Sequence, residues 1–318
     1  MTEIRYIDLF CGIGGFRLAA EGAAAEGGLS LRCALSSDID TACQDSYEAN
    51  FGERPVGDIS QVEAADIPAH DLLLAGFPCQ PFSIMGSRRG FDDTRGTLFF
   101  EIARILEAKR PAAFVLENVK MLRGHNKGQT LRRILEALQN LGYTCEYRIL
   151  NALDFGLPQK RERLFIVGFR DLHLFQWPVG DAPMRPLSEI LERDVPEKYQ
   201  ASPYIRERRR RQHAKTDEPT IWHENKSGHI SAYPYSCALR AGASYNYLLV
   251  NGERRLTPRE MLRLQGFPDS YEIVSSDNQT RKQAGNSLPV PVAQEILVRL
   301  FDSLGWCGRP LTSDRGGQ

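Results

Sequence analysis

The chain has 318 residues, 42% hydrophobic and 25% charged. That suits a core domain of roughly 150–200 residues plus a smaller one, and it excludes a largely disordered polypeptide. Its 40 Lys and Arg balance 40 Asp and Glu, so any nucleic-acid surface must be local rather than a property of the whole charge. No apolar run approaches the ~18 residues of a membrane span, and the N-terminus runs directly into a strand-like segment, which places the protein in the cytoplasm and off the membrane. Seven cysteines are scattered without a Cys-x-x-Cys pair, which argues against a zinc site or a disulfide framework, and no metal is expected. Most should be small apolar core residues.

The first half alternates β-rich runs with amphipathic stretches. Ile4–Phe10, Leu31–Ser36, Asp71–Ala75, Ala113–Glu117, Cys145–Leu150 and Leu164–Phe169 read as strands. Gly15–Ala25, Thr41–Phe51, Thr97–Ala108 and Thr130–Leu141 read as helices between them. This spacing predicts an α/β fold with a parallel, doubly wound sheet. The pattern fades after Arg170. A stretch of irregular or β structure follows, with a basic run at Arg206–Arg211 and a Tyr-rich segment from Tyr233 to Tyr247. From Leu187 to Arg255 there are 12 Lys or Arg and 9 Asp or Glu, a difference of +3. Helical signals return at Pro258–Gln265, started by proline, and at Val290–Leu304. The expected division is therefore residues 1–186 plus 284–318 as one domain and 187–283 as a smaller one across a cleft.

Several strand ends carry residues suited to chemistry. Asp8-Leu9-Phe10-Cys11-Gly12-Ile13-Gly14-Gly15-Phe16 is a strand, a glycine-rich turn and a helix start, the place where open α/β sheets bind cofactors. Arg17 stands at the third glycine position of the dinucleotide pattern, so a nicotinamide site is disfavoured. Asp38 follows the second strand, where a carboxylate accepts hydrogen bonds from ribose, and Asp58 could bind an adenine amino group. A tight turn with two capping aspartates would give the same pattern. In Gly76-Phe77-Pro78-Cys79-Gln80-Pro81-Phe82-Ser83, two prolines bracket a cysteine at a strand tip; their fixed φ holds the thiol rigidly for attack, though a buried structural Cys is the alternative. Glu117-Asn118-Val119 would place a carboxyl beside that tip if the two strands are neighbours. Gln159-Lys160-Arg161-Glu162-Arg163 is a basic entry to a strand, or an ordinary solvated cluster. Gln283-Ala284-Gly285-Asn286-Ser287 precedes a helix. The Arg206–Arg211 run is either a solvated helix face or a DNA contact.

These motifs, with Arg255-Leu256-Thr257-Pro258-Arg259-Glu260 and Gln265-Gly266-Phe267-Pro268, stand in an order that resembles the bacterial C5-cytosine DNA methyltransferases of restriction–modification type. The resemblance runs from Ile4 to about Leu304. It implies a doubly wound, Rossmann-like S-adenosylmethionine-dependent methyltransferase domain with a smaller target-recognition domain. It also implies transfer of a methyl group to carbon 5 of a flipped-out cytosine in a specific double-stranded DNA sequence, leaving S-adenosylhomocysteine. The target base must leave the duplex because its ring carbons are inaccessible in the stack. By the resemblance, Cys79 attacks carbon 6, Glu117 holds ring N3, Arg163 binds O2, and Arg161 supports Glu117 and the backbone. Phe10, Gly12, Gly14, Phe16, Asp38, Ile39, Asp58, Ile59, Pro78, Asn286 and Ser287 would hold the cofactor. Gln80 to Gly96 corresponds to a loop closing over the flipped base, with Ser83, Arg88, Arg89 and Arg95 toward phosphates.

Ile39 replaces an aromatic common in the family, and Ala238-Leu239 stands where a Thr and a branched residue are usual. Sequence reading is expected between Lys198 and Asn251, with Arg240, Tyr245 and Asn246 nearest the bases, since Arg suits guanine and Asn adenine. The alternative is a glycine-containing surface loop whose tyrosines pack inward. A monomer is expected, with a cognate restriction endonuclease sharing the target without binding. A tRNA cytosine-5 methyltransferase is the alternative reading; its Cys-Phe-Thr signature is absent from the recognition segment.

Overall fold

A computed structural model describes residues 3–77, 98–214 and 216–307. Within these, the elements in chain order begin β1 (Ile4–Leu9), α1 (Gly15–Gly27), β2 (Leu31–Ser37), α2 (Thr41–Phe51), β3 (Leu72–Gly76), α3 (Leu98–Lys109), β4 (Ala113–Val119) and α4 (Gln129–Asn140). They continue with β5 (Thr144–Asn151), β6 (Gln159–Lys160), β7 (Glu162–Phe169), α5 (Leu187–Ile190), α6 (Pro203–Arg210), β8 (Ile221–Glu224), β9 (Ile230–Tyr233), β10 (Ser236–Cys237) and β11 (Leu248–Val250). The last three are α7 (Pro258–Leu264), α8 (Asp277–Asn286) and α9 (Val290–Ser303).

The period-2 alternation of strand side chains builds a layered core. Tyr6, Leu72, Leu74, Ala113, Val115, Phe165 and Val167 face one way, against α1 and α9. Ile7, Leu9, Leu73, Ala75, Phe114, Leu116, Leu164 and Ile166 face the other, against α3 and α4. Each fully buried Leu, Ile or Val contributes roughly 1.5–3 kcal/mol, and both faces of this sheet are apolar. The face of α1 is Ala19, Ala20, Ala23 and Ala24, small enough to let α9 settle closely through Ala293, Ile296 and Leu300. The C-terminal helix thus packs on the N-terminal one. Among the described residues no helix is long and apolar enough to cross a membrane.

The sheet order is β2-β1-β3-β4-β7-β5. β1 to β4 are parallel, as expected, but β7 lies antiparallel to both β4 and β5. The expectation of a wholly parallel sheet is therefore corrected to a mixed one. The reason is local. Asn151 and Glu162 are register partners, joined by a short segment without an α-helix, and a parallel neighbour needs a helical crossover.

Beyond β7 the chain forms a small antiparallel sheet, β11-β8-β9, while β10 pairs in parallel with β6. The basic run at Arg206–Arg211 occupies α6 and the residue after it, and it is neither wholly solvated nor free. Arg209 is fully buried and donates to the carbonyls of Trp222 (2.9 Å) and Asn246 and to Glu224. Arg208 also pairs with Glu224, Arg210 with Glu253 at 3.0 Å and Arg211 with Glu207 at 3.4 Å. α7 starts as expected, with Thr257 and Glu260 forming a reciprocal cap around Pro258. Gln283–Asn286 ends α8 rather than merely preceding α9.

At Gly168 the neighbouring strand packs closely: a Cβ built there would lie 2.1 Å from Cζ of Phe114. Gly168→Ala should therefore destabilise the fold by about 1–3 kcal/mol, the usual cost of overpacking, read as a lower urea midpoint. An unchanged midpoint would contradict this packing.

Candidate active site

The carboxyl ends of β1 to β4 open onto a cleft of about 530 Å³, the position at which open α/β sheets take ligands. Phe10, Gly12, Phe16, Asp38, Ile39, Asp58, Ile59, Asn286 and Ser287 line it, together with Glu117 and Arg163. So do residues that the sequence motifs gave no role, among them Cys43, Leu98 and Leu288.

The turn after β1 makes the floor. Phe10, Gly12 and Gly14 all have left-handed φ, at 56°, 53° and 82°. That reverses the chain within five residues and starts α1. The Gly12 N–H donates to Asp38 Oδ2 at 2.8 Å, tying this turn to the end of β2. A Cβ on Gly12 would point into open space, so its absence keeps the floor bare. Gly14 does not line the cleft. A Cβ there would lie 2.2 Å from the Phe51 ring, so this glycine serves the packing of α1 on α2. Arg17, at the third glycine position, reaches Glu21 and Glu53 and covers the rings of Tyr47 and Phe51.

Three acids mark this end of the sheet. Burial pushes the Asp38 carboxyl up, while the Asp40 and Gly12 N–H groups hold it down. Asp58 accepts from the Ser60 N–H and hydroxyl and is lowered accordingly. Asp8 is fully buried, with neither oxygen hydrogen-bonded among the described residues, and burial holds it well above the usual carboxylate range. Ile39 is apolar yet 74% exposed at the cleft edge, an open flat face beside the acceptors of Asp38.

Opposite lies an ion pair. β4 ends in Glu117-Asn118-Val119, and the reversed β7 begins at the same end of the sheet, with Val119 opposite Arg163. Arg163 Nε meets Glu117 Oε1 at 2.9 Å. Burial raises the Glu117 pKa above the ordinary value, against the pull of Arg163 and then Arg161. Asn118 is buried and donates to the Phe77 carbonyl at 2.8 Å, fixing the end of β3 beside β4. Pro78, Cys79, Ser83, Arg88, Arg89 and Arg95 lie outside the described residues.

Arg161 does not touch Glu117. Fully buried, it donates to the carbonyls of Leu239 (2.8 Å), Gly285 (2.8 Å) and Ser287 (2.5 Å). Gln159 holds the same residue, accepting from the Leu239 N–H at 2.9 Å, and donates to Leu264 O at 2.8 Å. Gln265, also buried, donates to Ala284 O at 2.5 Å. The described residues expected at DNA, Arg240, Tyr245 and Asn246, are not among the cleft lining. Arg240 is exposed, with its guanidinium 4.9 Å from the Tyr247 ring centre. Tyr245 is half exposed, with Arg281 4.3 Å over its ring, and the Asn246 carbonyl accepts from Arg209. Tyr247 packs inward and Tyr245 outward, so the two tyrosines divide between the alternatives.

The profile of the C-5 cytosine-specific DNA methylase family matches residues 4–302. The chain is 56% identical over 293 residues to the Type II methyltransferase M.NgoBI of Neisseria gonorrhoeae, covering 91% of this chain and 90% of that protein. It is 52% identical over 314 residues to M.HaeII of Haemophilus aegyptius, covering 98% and 97%. In fold it is similar to the Dnmt2 methyltransferase of S. pombe, with a TM-score of 0.73 at 21% identity over 95% of this chain and 99% of that one. Its methyl donor is S-adenosylmethionine, and the chain belongs to the C-5 cytosine-specific DNA methylases.

Proposed function

We propose that this methylase modifies one cytosine within a defined double-stranded DNA sequence through a transient bond to Cys79, as the protective enzyme of a restriction–modification system. The observation that carries the reading is the Glu117–Arg163 pair at the wall of the cleft. A carboxyl with a raised pKa beside a guanidinium matches the N3 and O2 edge of a flipped cytosine. Glu117 donates to or shares a proton with N3, and Arg163 stabilises charge at O2. The Cys79 thiolate forms a bond to carbon 6, which raises electron density at carbon 5. After methylation, loss of the carbon 5 proton and expulsion of the thiolate restore the ring.

The cleft's donor set fits the cofactor. Asp38 offers an acceptor for ribose hydroxyls, Phe16, Ile39 and Ile59 offer apolar faces for adenine, and Asp58 offers an acceptor for its amino group. Phe10, Gly12, Pro78, Asn286 and Ser287 complete the proposed set, with Gly14 acting behind it. Bound S-adenosylmethionine supplies an electrophilic methyl group. Residues 187–283 are proposed as the recognition domain and hinge, with 1–186 and 284–318 as the catalytic domain. Arg240, Tyr245 and Asn246 are the proposed readers, and Ser83, Arg88, Arg89 and Arg95 the proposed phosphate contacts of the loop. The enzyme acts as a monomer in the cytoplasm, and its endonuclease shares only the target. The family match is to DNA methylases, so the tRNA alternative is not better supported.

Transfer of labelled methyl groups to DNA tests the roles. Cys79→Ser should abolish transfer while DNA binding persists, because a serine hydroxyl without a base is a poor nucleophile. Glu117→Gln should slow it by a factor on the order of 10² or more. Near-normal turnover in either variant would contradict the assignment. Arg240→Ala should relax the methylated sequence at a guanine, costing roughly 1–3 kcal/mol of discrimination; an unchanged sequence preference would remove Arg240 as a reader.

Stability gives an independent check on Glu117. Its folded pKa lies above the unfolded one, so its contribution favours the fold at low pH and is lost as pH rises through the folded value. Arg163→Met removes the main influence holding that value down. Relative to the unaltered protein, its unfolding free energy should fall as pH rises above the ordinary carboxylate range, by ~1.4 kcal/mol for each added pKa unit. A pH-independent difference between the two would show that Arg163 does not govern the carboxyl.

A further inference from the structure

With a formal net charge of zero, this protein must hold a polyanion through a local surface. The Arg206–Arg211 run is a weak source of it, since four of its arginines have acidic partners. The segment that leaves the proposed catalytic carboxylate is different. From Lys120 to Arg133 the sequence carries Lys120, Arg123, Lys127, Arg132 and Arg133 and no acid. Lys120 is paired with Glu162 at 2.7 Å. Arg123, Lys127, Arg132 and Arg133 are exposed, and none has an ion-pair partner among the described residues.

The segment sits at the open end of the sheet. Val119, its predecessor, lines the cleft, and Glu117 is three residues before Lys120. It is also held rigidly. His125 Nδ1 and Thr130 Oγ1 are 2.7 Å apart, and Thr130 is buried in the first turn of α4. Asn126 Nδ2 donates to Gln129 Oε1 at 3.1 Å. Asn126 and Lys127 adopt consecutive left-handed conformations, with φ of 47° and 55°, and Gly128 follows at 82°. Two side-chain-bearing residues in this region are costly, and such strain persists where surrounding structure imposes it. The turn folds Gly128, the neighbour of Lys127, back against the Arg123 carbonyl, and α4 carries Arg132 and Arg133 in its first turns.

We propose that Arg123, Lys127, Arg132 and Arg133 form a sequence-independent contact surface for duplex DNA phosphates, on the catalytic side of the cleft and separate from the reading residues. Opposite-signed charge on a fixed turn suits backbone contacts, which position a duplex without reading it. This rests on the reading that DNA is the substrate.

The test is duplex binding by fluorescence anisotropy over a range of salt concentrations, with a duplex of unrelated sequence. Combining Arg123→Gln, Lys127→Gly, Arg132→Gln and Arg133→Gln should flatten the dependence of log K on log salt by about 0.9 for each phosphate no longer neutralised. Affinity should fall roughly tenfold per phosphate at ~0.1 M salt, while affinity for S-adenosylhomocysteine and the methylated sequence stay the same. If that variant does not fold, Lys127→Gly alone decides. Glycine accepts φ of 55°, so the melting temperature should hold or rise while the salt slope falls. Asn126→Gly relieves the same strain and should leave the slope unchanged. An unaltered slope in folded Lys127→Gly and in the combined variant would overturn the proposal. Absence of any duplex binding by the unaltered protein would instead overturn the reading beneath it.

Discussion

The guanidinium of Arg161 is withdrawn wholly from water, and a buried charge costs several kcal/mol unless hydrogen bonds replace its hydration. Here the replacements are three main-chain carbonyls, those of Leu239, Gly285 and Ser287. They belong to the segment beside the proposed reading residues, to α8 and to the α8–α9 junction. Removing any of these segments would strand the charge, so the segments are obliged to meet at one point. Gln159 and Gln265 extend the same arrangement, and Gly285 completes it by closeness: a Cβ there would lie 2.4 Å from the Ala241 nitrogen. The small sheet region and the cofactor-side helices are thereby registered to the strand that also delivers Arg163.

That delivery depends on strand direction. In a wholly parallel sheet the start of β7 would lie at the end of the sheet away from the cleft. Reversed, it places Arg163 opposite Val119 and within 2.9 Å of Glu117. Arg161, just before β7, is held in the interior, while Arg163, inside β7, lines the cleft. Charge is distributed by the same logic: Arg208, Arg209 and Arg210 pair with acids around the small sheet, whereas Arg123, Arg132 and Arg133, in the segment that follows Glu117, have no acidic partners among the described residues.

Much of this was legible in the chain. Thr41–Phe51 is helical to the residue, because Asp40 caps it and Gly52 ends it. The strands of the first half fall within two residues of their expected limits, since their apolar runs are bounded by glycines and polar turns. Phe10, Gly12 and Asp38 were visible because they follow β1 and β2, at the edge where the topology gathers loops, and Glu117 because it stands near the end of β4. What was not legible depends on contacts distant in sequence. The direction of β7 follows from how a short connection folds back. α8 has a mean composition too polar to announce itself, yet its buried Gln283 bonds to α2 at Ala42 O and its Gly285 lies against the Arg240–Ala241 backbone. Arg209 and Arg161 look like surface charges in the sequence, and only the carbonyls that converge on them reveal otherwise. Asn118 stood inside a recognised motif without a role until its bond to Phe77 appeared.

Cys79 is proposed to bond covalently to the target base that the Glu117–Arg163 pair would hold. Intact-mass spectrometry on the protein with duplex DNA carrying 5-fluorocytosine in the methylated sequence, together with S-adenosylmethionine, tests it most directly. Fluorine at carbon 5 cannot leave as a proton does, so the account predicts a stable one-to-one protein–DNA adduct whose peptide map places the bond at Cys79. Methylation of normal DNA with no adduct on the fluorinated duplex, or an adduct mapped to another residue, would contradict it.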